Sequence, residues 1–258
     1  MHEQHYGKAD NPLMLFIHGG GVSGWMWDEQ IRHFSPHYHC VAPDLPEHGK
    51  SRDGSPFSIK ASAEHLLQRI EAIGAGKMVI LIGFSLGAQI AVQMVSLRPD
   101  LIHYAIINSA LVIPMPSMKR WIPLSVRLTF PLIRNRTFSR LQAKQLYLNR
   151  NQFNNYYEES CRLQQNSLVR ILEENMSFEL PANFHIAQSK LLITVGEKEK
   201  AVMQKSAALL ARNNPRCIGV VIPGIGHGIS LAKPEYFNQM IEHWLDNGQV
   251  PHDSKLIT

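Results

Sequence analysis

"VILIGFSLGAQIAVQMV", from Val79 to Val95, is an apolar stretch interrupted at its centre by a serine between two glycines. The aliphatic run before the serine reads as a buried strand and the run after it as a buried helix. A strand that passes into a helix within so few residues must turn sharply. The side chain at that corner is held in strained backbone geometry and points away from both elements. Small residues two before and two after it let strand and helix pack closely, and Gly83 and Gly87 supply them. The Ser85 hydroxyl then stands at the carboxyl end of a strand, where open α/β sheets place their ligands. The following helix aims its N-terminus at the same point, so the Leu86 N–H can hold a developing negative charge. Five residues of this kind also arise by chance, as a tight turn whose serine caps a helix; the apolar strand before and helix after favour a nucleophile.

The same alternation runs outward along the chain. Leu13–Ile17, Cys40–Ala42, Met78–Ile82, Tyr104–Ile107, Leu191–Val195 and Ile218–Ile222 are continuous apolar runs, as strands covered on both faces of a parallel sheet require. Helix-period stretches lie between them, at Met26–Phe34, Ile59–Ile73, Gln89–Leu97, Met203–Ala211 and Tyr236–Leu245. The pattern predicts an α/β fold with a mostly parallel sheet flanked by helices. From Ile113 to Ser189 no strand is legible; the segment opens with "IPMP", closes near "ELPANF" and is helical between. This predicts a core formed by 1–113 and 190–258, with residues 114–189 as a helical lid on the rim of the sheet.

The 258 residues, 45% hydrophobic and 18% charged, fit a globular chain with a large core. Cys40, Cys161 and Cys217 are few, odd in number and far apart, which implies a reducing compartment and no disulfide framework. The N-terminus lacks the basic start and apolar core of a signal peptide, and no apolar run is long enough for a membrane span. A soluble cytoplasmic protein, monomeric or homodimeric and without stable membrane insertion, is the expectation. The net charge of +5 is uneven: residues 114–172 hold ten Lys or Arg against Glu158 and Glu159, net +8, leaving −3 for the remainder. These charges are spread out and read as solvated helix faces. No nucleic-acid motif accompanies them.

A serine nucleophile needs a base. Of the 13 histidines, His2, His5 and His252 fall in expected tails, His65 and His243 inside amphipathic helices, and His33, His37 and His39 around a helix end without metal-ligand spacing. His227 differs: "VVIPGIGHGISL" places it just after the last apolar run, among Gly224, Gly226 and Gly228, in a loop able to bring an imidazole to a neighbouring strand end. The base in turn needs a carboxylate to fix its tautomer. Glu197 and Glu199 both follow the run Leu191–Val195 at its carboxyl end, giving the order Ser85, Glu199 (or Glu197), His227.

Together these residues resemble the α/β-hydrolase superfamily over nearly the whole chain. "LFIHGGGVSGWMW" (15–27) resembles its histidine–glycine loop, "VAPDLPEHGKS" (41–51) its aspartate–leucine–proline segment, "GFSLG" (83–87) its nucleophile elbow, "GEKE" (196–199) its acid turn and "GIGHG" (224–228) its histidine loop. The resemblance implies Ser85 as nucleophile, His227 as general base, and an oxyanion hole from the Leu86 N–H with an N–H of Gly20 or Gly21. It implies structural roles for His18 and Asp44. The chain departs from the family in having Glu199 where aspartate is usual and Glu47 where glycine is usual. If that backbone is left-handed, Glu47 costs on the order of a kcal/mol. The short N-terminus implies a reduced or missing opening hairpin. Asn108 and Ser109 stand at the other position from which relatives supply the acid, so no carboxylate competes there.

The expected reaction is acyl transfer to water through an acyl-enzyme, on a carboxylic ester of a small, largely apolar molecule, with no metal or organic cofactor. Met115, Met118, Trp121, Phe130, Phe138, Tyr147, Phe153, Tyr156 and Tyr157 would roof the pocket or simply pack the lid onto the core. A slow or non-hydrolytic small-molecule receptor on the same fold, or a C–C hydrolase, lyase or acyltransferase using the same triad, remain the alternatives.

Overall fold

The computed structural model describes residues 1–52 and 55–257; residue 258, the end of the expected second core segment, lies outside them. Eight strands form one sheet: β1 (Glu3–Tyr6), β2 (Leu13–Ile17), β3 (His39–Pro43), β4 (Val79–Phe84), β5 (Tyr104–Asn108), β6 (Lys190–Gly196), β7 (Cys217–Ile222) and β8 (Lys255–Leu256). Their order is β1-β3-β2-β4-β5-β6-β7-β8. Strands β3 through β7 in this order are parallel, and β1 and β8 close the edges antiparallel.

The continuous apolar strands are explained by cover on both faces. Leu13, Leu15, Ile17, Leu81, Ala105, Ile107 and Ile193 pack into one core with α2 (Ile59–Ile73) and α3 (Leu86–Leu97). The alternate residues Met14, Phe16, Ile80, Ile82, Ile106 and Leu192 pack into the other. There they meet α1 (Asp28–Phe34) and, from the far end of the chain, Phe237, Ile241 and Trp244. Each strand residue thus serves one of two layers.

Between β5 and β6 the chain is helical: α4 (Pro116–Lys119), α5 (Ile122–Thr129), α6 (Arg136–Gln145), α7 (Arg150–Arg162) and α8 (Gln165–Ser177), with 3₁₀ turns at Phe130–Arg134 and Ala182–Ile186. Asn149 caps α7, accepting from the Gln152 N–H while the Gln152 side chain accepts from the Asn149 N–H. After β6 come α9 (Ala201–Asn213), α10 (Ile229–Ala232) and α11 (Pro234–Asn247).

Three expectations need correction. The N-terminus is not a tail: β1 pairs with β3 in the register Glu3–Pro43 to Tyr6–Cys40. His5 lies in that strand with its Nδ1 3.1 Å from His39 Nε2. The expected helix Met26–Phe34 divides into a 3₁₀ turn, Gly24–Trp27, and α1. The helix after Ser85 begins at Leu86, three residues before the expected Gln89.

Candidate active site

Because β4 to β7 run parallel, their carboxyl ends share one rim, and the loops that follow them bring Ser85, Ser109, Glu199 and His227 together. Ser85 has φ 54° and ψ −112°, a conformation L-residues avoid. The surroundings impose it. A Cβ on Gly83 would lie 2.5 Å from the Gly87 carbonyl oxygen, and one on Gly87 would lie 2.2 Å from that of Ile17. Only glycine at both positions lets α3 lie directly on β4 and β2. The Ser85 N–H donates to the Asn108 carbonyl (2.9 Å), fixing the corner to β5.

His227 Nε2 is 3.0 Å from Ser85 Oγ, and His227 Nδ1 is 2.7 Å from Glu199 Oε2. The imidazole packs on the Phe84 ring at 4.8 Å between centroids. Glu199 is 2% exposed. Burial pushes its pKa upward, but hydrogen bonds from His227, Gly196 and Ser109 outweigh it and hold the carboxyl below its ordinary value. The group is therefore an ionised acceptor. It takes the Nδ1–H of His227, leaving Nε2 unprotonated to accept from the Ser85 hydroxyl.

Glu199, expected as the acid, and Glu197, its alternative, make different contacts. Glu199 Oε1 folds back on its own turn, accepting from the Gly196 N–H (2.9 Å) and from Ser109 Oγ (2.7 Å). Glu197 points elsewhere, accepting from the Gly224 N–H and from Lys255 Nζ, each at 2.9 Å. Ser109 is a site residue that sequence reasoning noted only as lacking a carboxylate. It holds φ 58° just after β5, and its hydroxyl donates to Glu199 Oε1. Its place just after a rim-ending strand was the available signal.

The loop after β2 runs beside the elbow: a Cβ on Gly19 would lie 3.4 Å from Ser85 Cβ, and one on Gly20 3.6 Å from Leu86 Cδ2. Leu86 is the first residue of α3, so its N–H has no partner within the helix. Among the described residues, the N–H groups of Leu86, Gly20 and Gly21 make no hydrogen bond to protein. His18 holds this loop. Its Nε2 accepts from the Leu45 N–H (2.9 Å), so its Nδ1 carries the proton and donates to the Gly19 carbonyl (2.7 Å). Full burial drives its pKa down to about 3, so His18 is a neutral strut at every ordinary pH. Asp44 accepts from the Gly24 and Lys50 N–H groups, and so holds two loops instead of facing His227.

A cleft of about 610 Å³ lies on the histidine side, lined by Leu146, Tyr147 and Met203 with Lys144, Lys198 and Lys200 among its borders. Tyr147, at φ 59°, accepts from the Gly226 N–H at 3.0 Å and ties the turn after α6 to the histidine loop. Of the residues expected to roof a pocket, Tyr147 alone borders this cleft. Phe153 and Tyr156 are buried among the helices, while Met118 and Trp121 face solvent. Glu47 does adopt a left-handed backbone, φ 65°. Its side chain offsets that strain by accepting from the Phe57 N–H, Ser167 Oγ and the Arg170 guanidinium, which clasps α8 to the loop after β3. Among the described residues no cluster of three or more His, Cys, Asp or Glu is placed to hold a metal ion.

A layered sheet with helices on both sides, a strained serine at the corner of its central strand and a histidine reaching it from the last parallel strand define an α/β hydrolase architecture. The model of the alpha/beta hydrolase family matches residues 14–240, and the chain belongs to that family. It is 26% identical over 246 residues to a pimeloyl-[acyl-carrier protein] methyl ester esterase of Yersinia enterocolitica, covering 91% of this chain and 93% of that one. It is 33% identical over 100 residues to lipase LipV of Mycobacterium tuberculosis, 39% of this chain and 38% of the lipase. The chain aligns with well under half the length of this and other curated relatives. A thermophilic esterase from Thermogutta terrifontis superposes with a TM-score of 0.78 at 18% identity, over 95% of this chain and 92% of that one, a likeness of fold.

Proposed function

We propose that the chain is a serine hydrolase that cleaves a carboxylic ester through a Ser85–His227–Glu199 triad. The observation that carries this reading is the continuous hydrogen-bond chain from Ser85 Oγ through both ring nitrogens of His227 to a buried, ionised Glu199. His227 Nε2 removes the Ser85 proton as Oγ attacks the ester carbonyl, and Glu199 stabilises the imidazolium that forms. The N–H groups of Leu86 and of Gly20 or Gly21 receive the oxyanion. His227 then protonates the departing alkoxide, and water, deprotonated by His227, releases the acid. Removal of one such oxyanion donor typically costs roughly a hundred- to a thousandfold in kcat.

Residues 114–189 act as the lid. Tyr147 and Leu146 cover the histidine side of the cleft, while Glu47 and Arg170 hold α8 to the core. The apolar body of the cleft and its lysines favour an ester with an apolar chain and an anionic end. The ester specificity named for the Yersinia relative accords with this. The full hydrogen-bond chain also favours hydrolysis over a receptor, which needs no proton relay. The test is hydrolysis of p-nitrophenyl esters of increasing chain length, with and without a terminal carboxylate, by wild type and Ser85→Ala. The reading predicts turnover by wild type and its loss in Ser85→Ala; equal rates in the two would overturn it.

A further inference from the structure

The helices between β5 and β6 carry a surface that the hydrolytic site does not use. In α5, Ile122 and Val126 are buried against the protein. At about 100° per residue, Trp121, Leu124 and Leu128 fall on the opposite side of the same helical path, and they are 61%, 48% and 69% exposed. Met118 before them and Leu132 after them are each 44% exposed. An amphipathic helix normally buries its apolar side. Here apolar residues lie on both sides, and one set meets solvent.

Charge identifies what would cover that set. From Pro114 to Tyr157 there is no Asp or Glu, while Lys119, Arg120, Arg127, Arg134, Arg136, Arg140, Lys144 and Arg150 supply eight cations. Lys119, Arg120, Arg127 and Arg134, which flank the exposed apolar residues, are themselves exposed. None of these four joins an ion pair among the described residues. A second copy of this chain would bring like charges together across such a face. A tryptophan and leucines ringed by Lys and Arg match the interface of an anionic bilayer, where apolar side chains enter the acyl boundary and cations meet phosphates.

We infer that the α4–α5 surface is a peripheral docking site for anionic lipid membranes, with Trp121, Leu124 and Leu128 inserting and Lys119, Arg120, Arg127 and Arg134 contacting headgroup phosphates. The attachment is superficial: among the described residues no helix is long and apolar enough to cross a membrane.

The purified chain is mixed with vesicles of phosphatidylcholine alone or of phosphatidylcholine with phosphatidylglycerol, then floated. Trp121 is the most exposed of the tryptophans, with Trp27 and Trp244 buried, so emission follows its insertion. The expected result is binding to phosphatidylglycerol vesicles with a blue-shifted emission, weakened by salt. The Leu124→Ser/Leu128→Ser variant is expected to bind roughly ten- to a hundredfold more weakly, and Arg120→Gln and Arg127→Gln roughly fivefold each. Circular dichroism of each variant checks its fold. Should the leucine variant fail to fold, quenching of wild-type Trp121 by brominated lipid decides the question alone. Absence of binding would overturn the inference, whether the chain is then a monomer, a dimer through this face, or bound to an acidic carrier protein instead. Binding equally strong to phosphatidylcholine alone, or unchanged in the leucine variant, would overturn it as well.

Discussion

Replacing Glu199 with glutamine separates the chemistry of the proposed triad from its packing. Glu199 Oε1 accepts from the Gly196 N–H and Ser109 Oγ, and Oε2 accepts from His227 Nδ1. A glutamine must choose. With its carbonyl towards Gly196 it keeps both those bonds, but its amide then donates to Nδ1. The imidazole proton moves to Nε2, which can no longer take a proton from Ser85. With the amide reversed, the tautomer is right but two donors oppose each other at the 2.9 Å Gly196 contact. That mismatch costs about 1–3 kcal/mol, so the unproductive arrangement dominates roughly five- to 150-fold. Loss of the negative charge beside the imidazolium removes a charge-assisted bond worth about 1.5–3 kcal/mol. The product is a fall in kcat of about a thousandfold, within a factor of ten either way. The unproductive arrangement satisfies the buried groups, so the protein should stay folded, with a modest fall in the thermal midpoint at neutral pH from loss of the ionised form that the lowered pKa of Glu199 marks as stabilising. Steady-state kinetics on p-nitrophenyl acetate beside a thermal melt measures both. A kcat within tenfold of wild type, or an equal fall in Glu197→Gln, would refute the assignment of the acid.

Gly87→Ala places a Cβ 2.2 Å from the Ile17 carbonyl oxygen; backbone cannot yield cheaply, so urea denaturation should show a loss of more than about 3 kcal/mol, or no folded protein. Glu47→Ala keeps the left-handed backbone and loses the clasp on α8, while Glu47→Gly loses the clasp but relieves the strain. With Arg170 40% exposed, the alanine variant should lose about 1–2 kcal/mol in urea and the glycine variant roughly 1 kcal/mol less. Glu159 on α7 is half-buried, and the desolvation raises its pKa, which the Ser23 hydroxyl only partly offsets. A carboxyl whose folded pKa is raised contributes stability at low pH and loses it as pH rises through that value. Glu159→Gln should therefore gain on wild type in melts as pH climbs from about 4 to 8. Glu199 has the opposite sign: its pKa is lowered, so its contribution is present at neutral pH and fades as pH falls below about 4.

Much of the fold is written in one-dimensional signals. The six parallel strands are continuous apolar runs because both faces of the sheet are covered, and Gly83-Phe84-Ser85-Leu86-Gly87 marks its own corner. What periodicity misses is set by distant partners. β8 is two exposed residues whose strand conformation comes from pairing with Val220 and Val221. The start of α3 was obscured because Gly87 disfavours a helix locally but is demanded by contact with Ile17. Glu197 and Glu199 lie two residues apart, and only the turn that folds Glu199 onto Gly196 distinguishes them. Glu47 is legible as a cost, but its compensation lies 123 residues away at Arg170. Trp121 and Met118 look like roof residues by composition; Ile122 and Val126 occupy the inward side of α5 and turn Trp121 outward.

The central claim is that the Ser85 hydroxyl is activated for attack through His227. Treatment with a fluorophosphonate, followed by digestion and mass spectrometry, measures this directly. One adduct per chain is expected, on the peptide containing Ser85, formed by wild type and strongly slowed in His227→Ala. An unlabelled wild-type protein, or an adduct on some other residue with Ser85 unmodified, would contradict it.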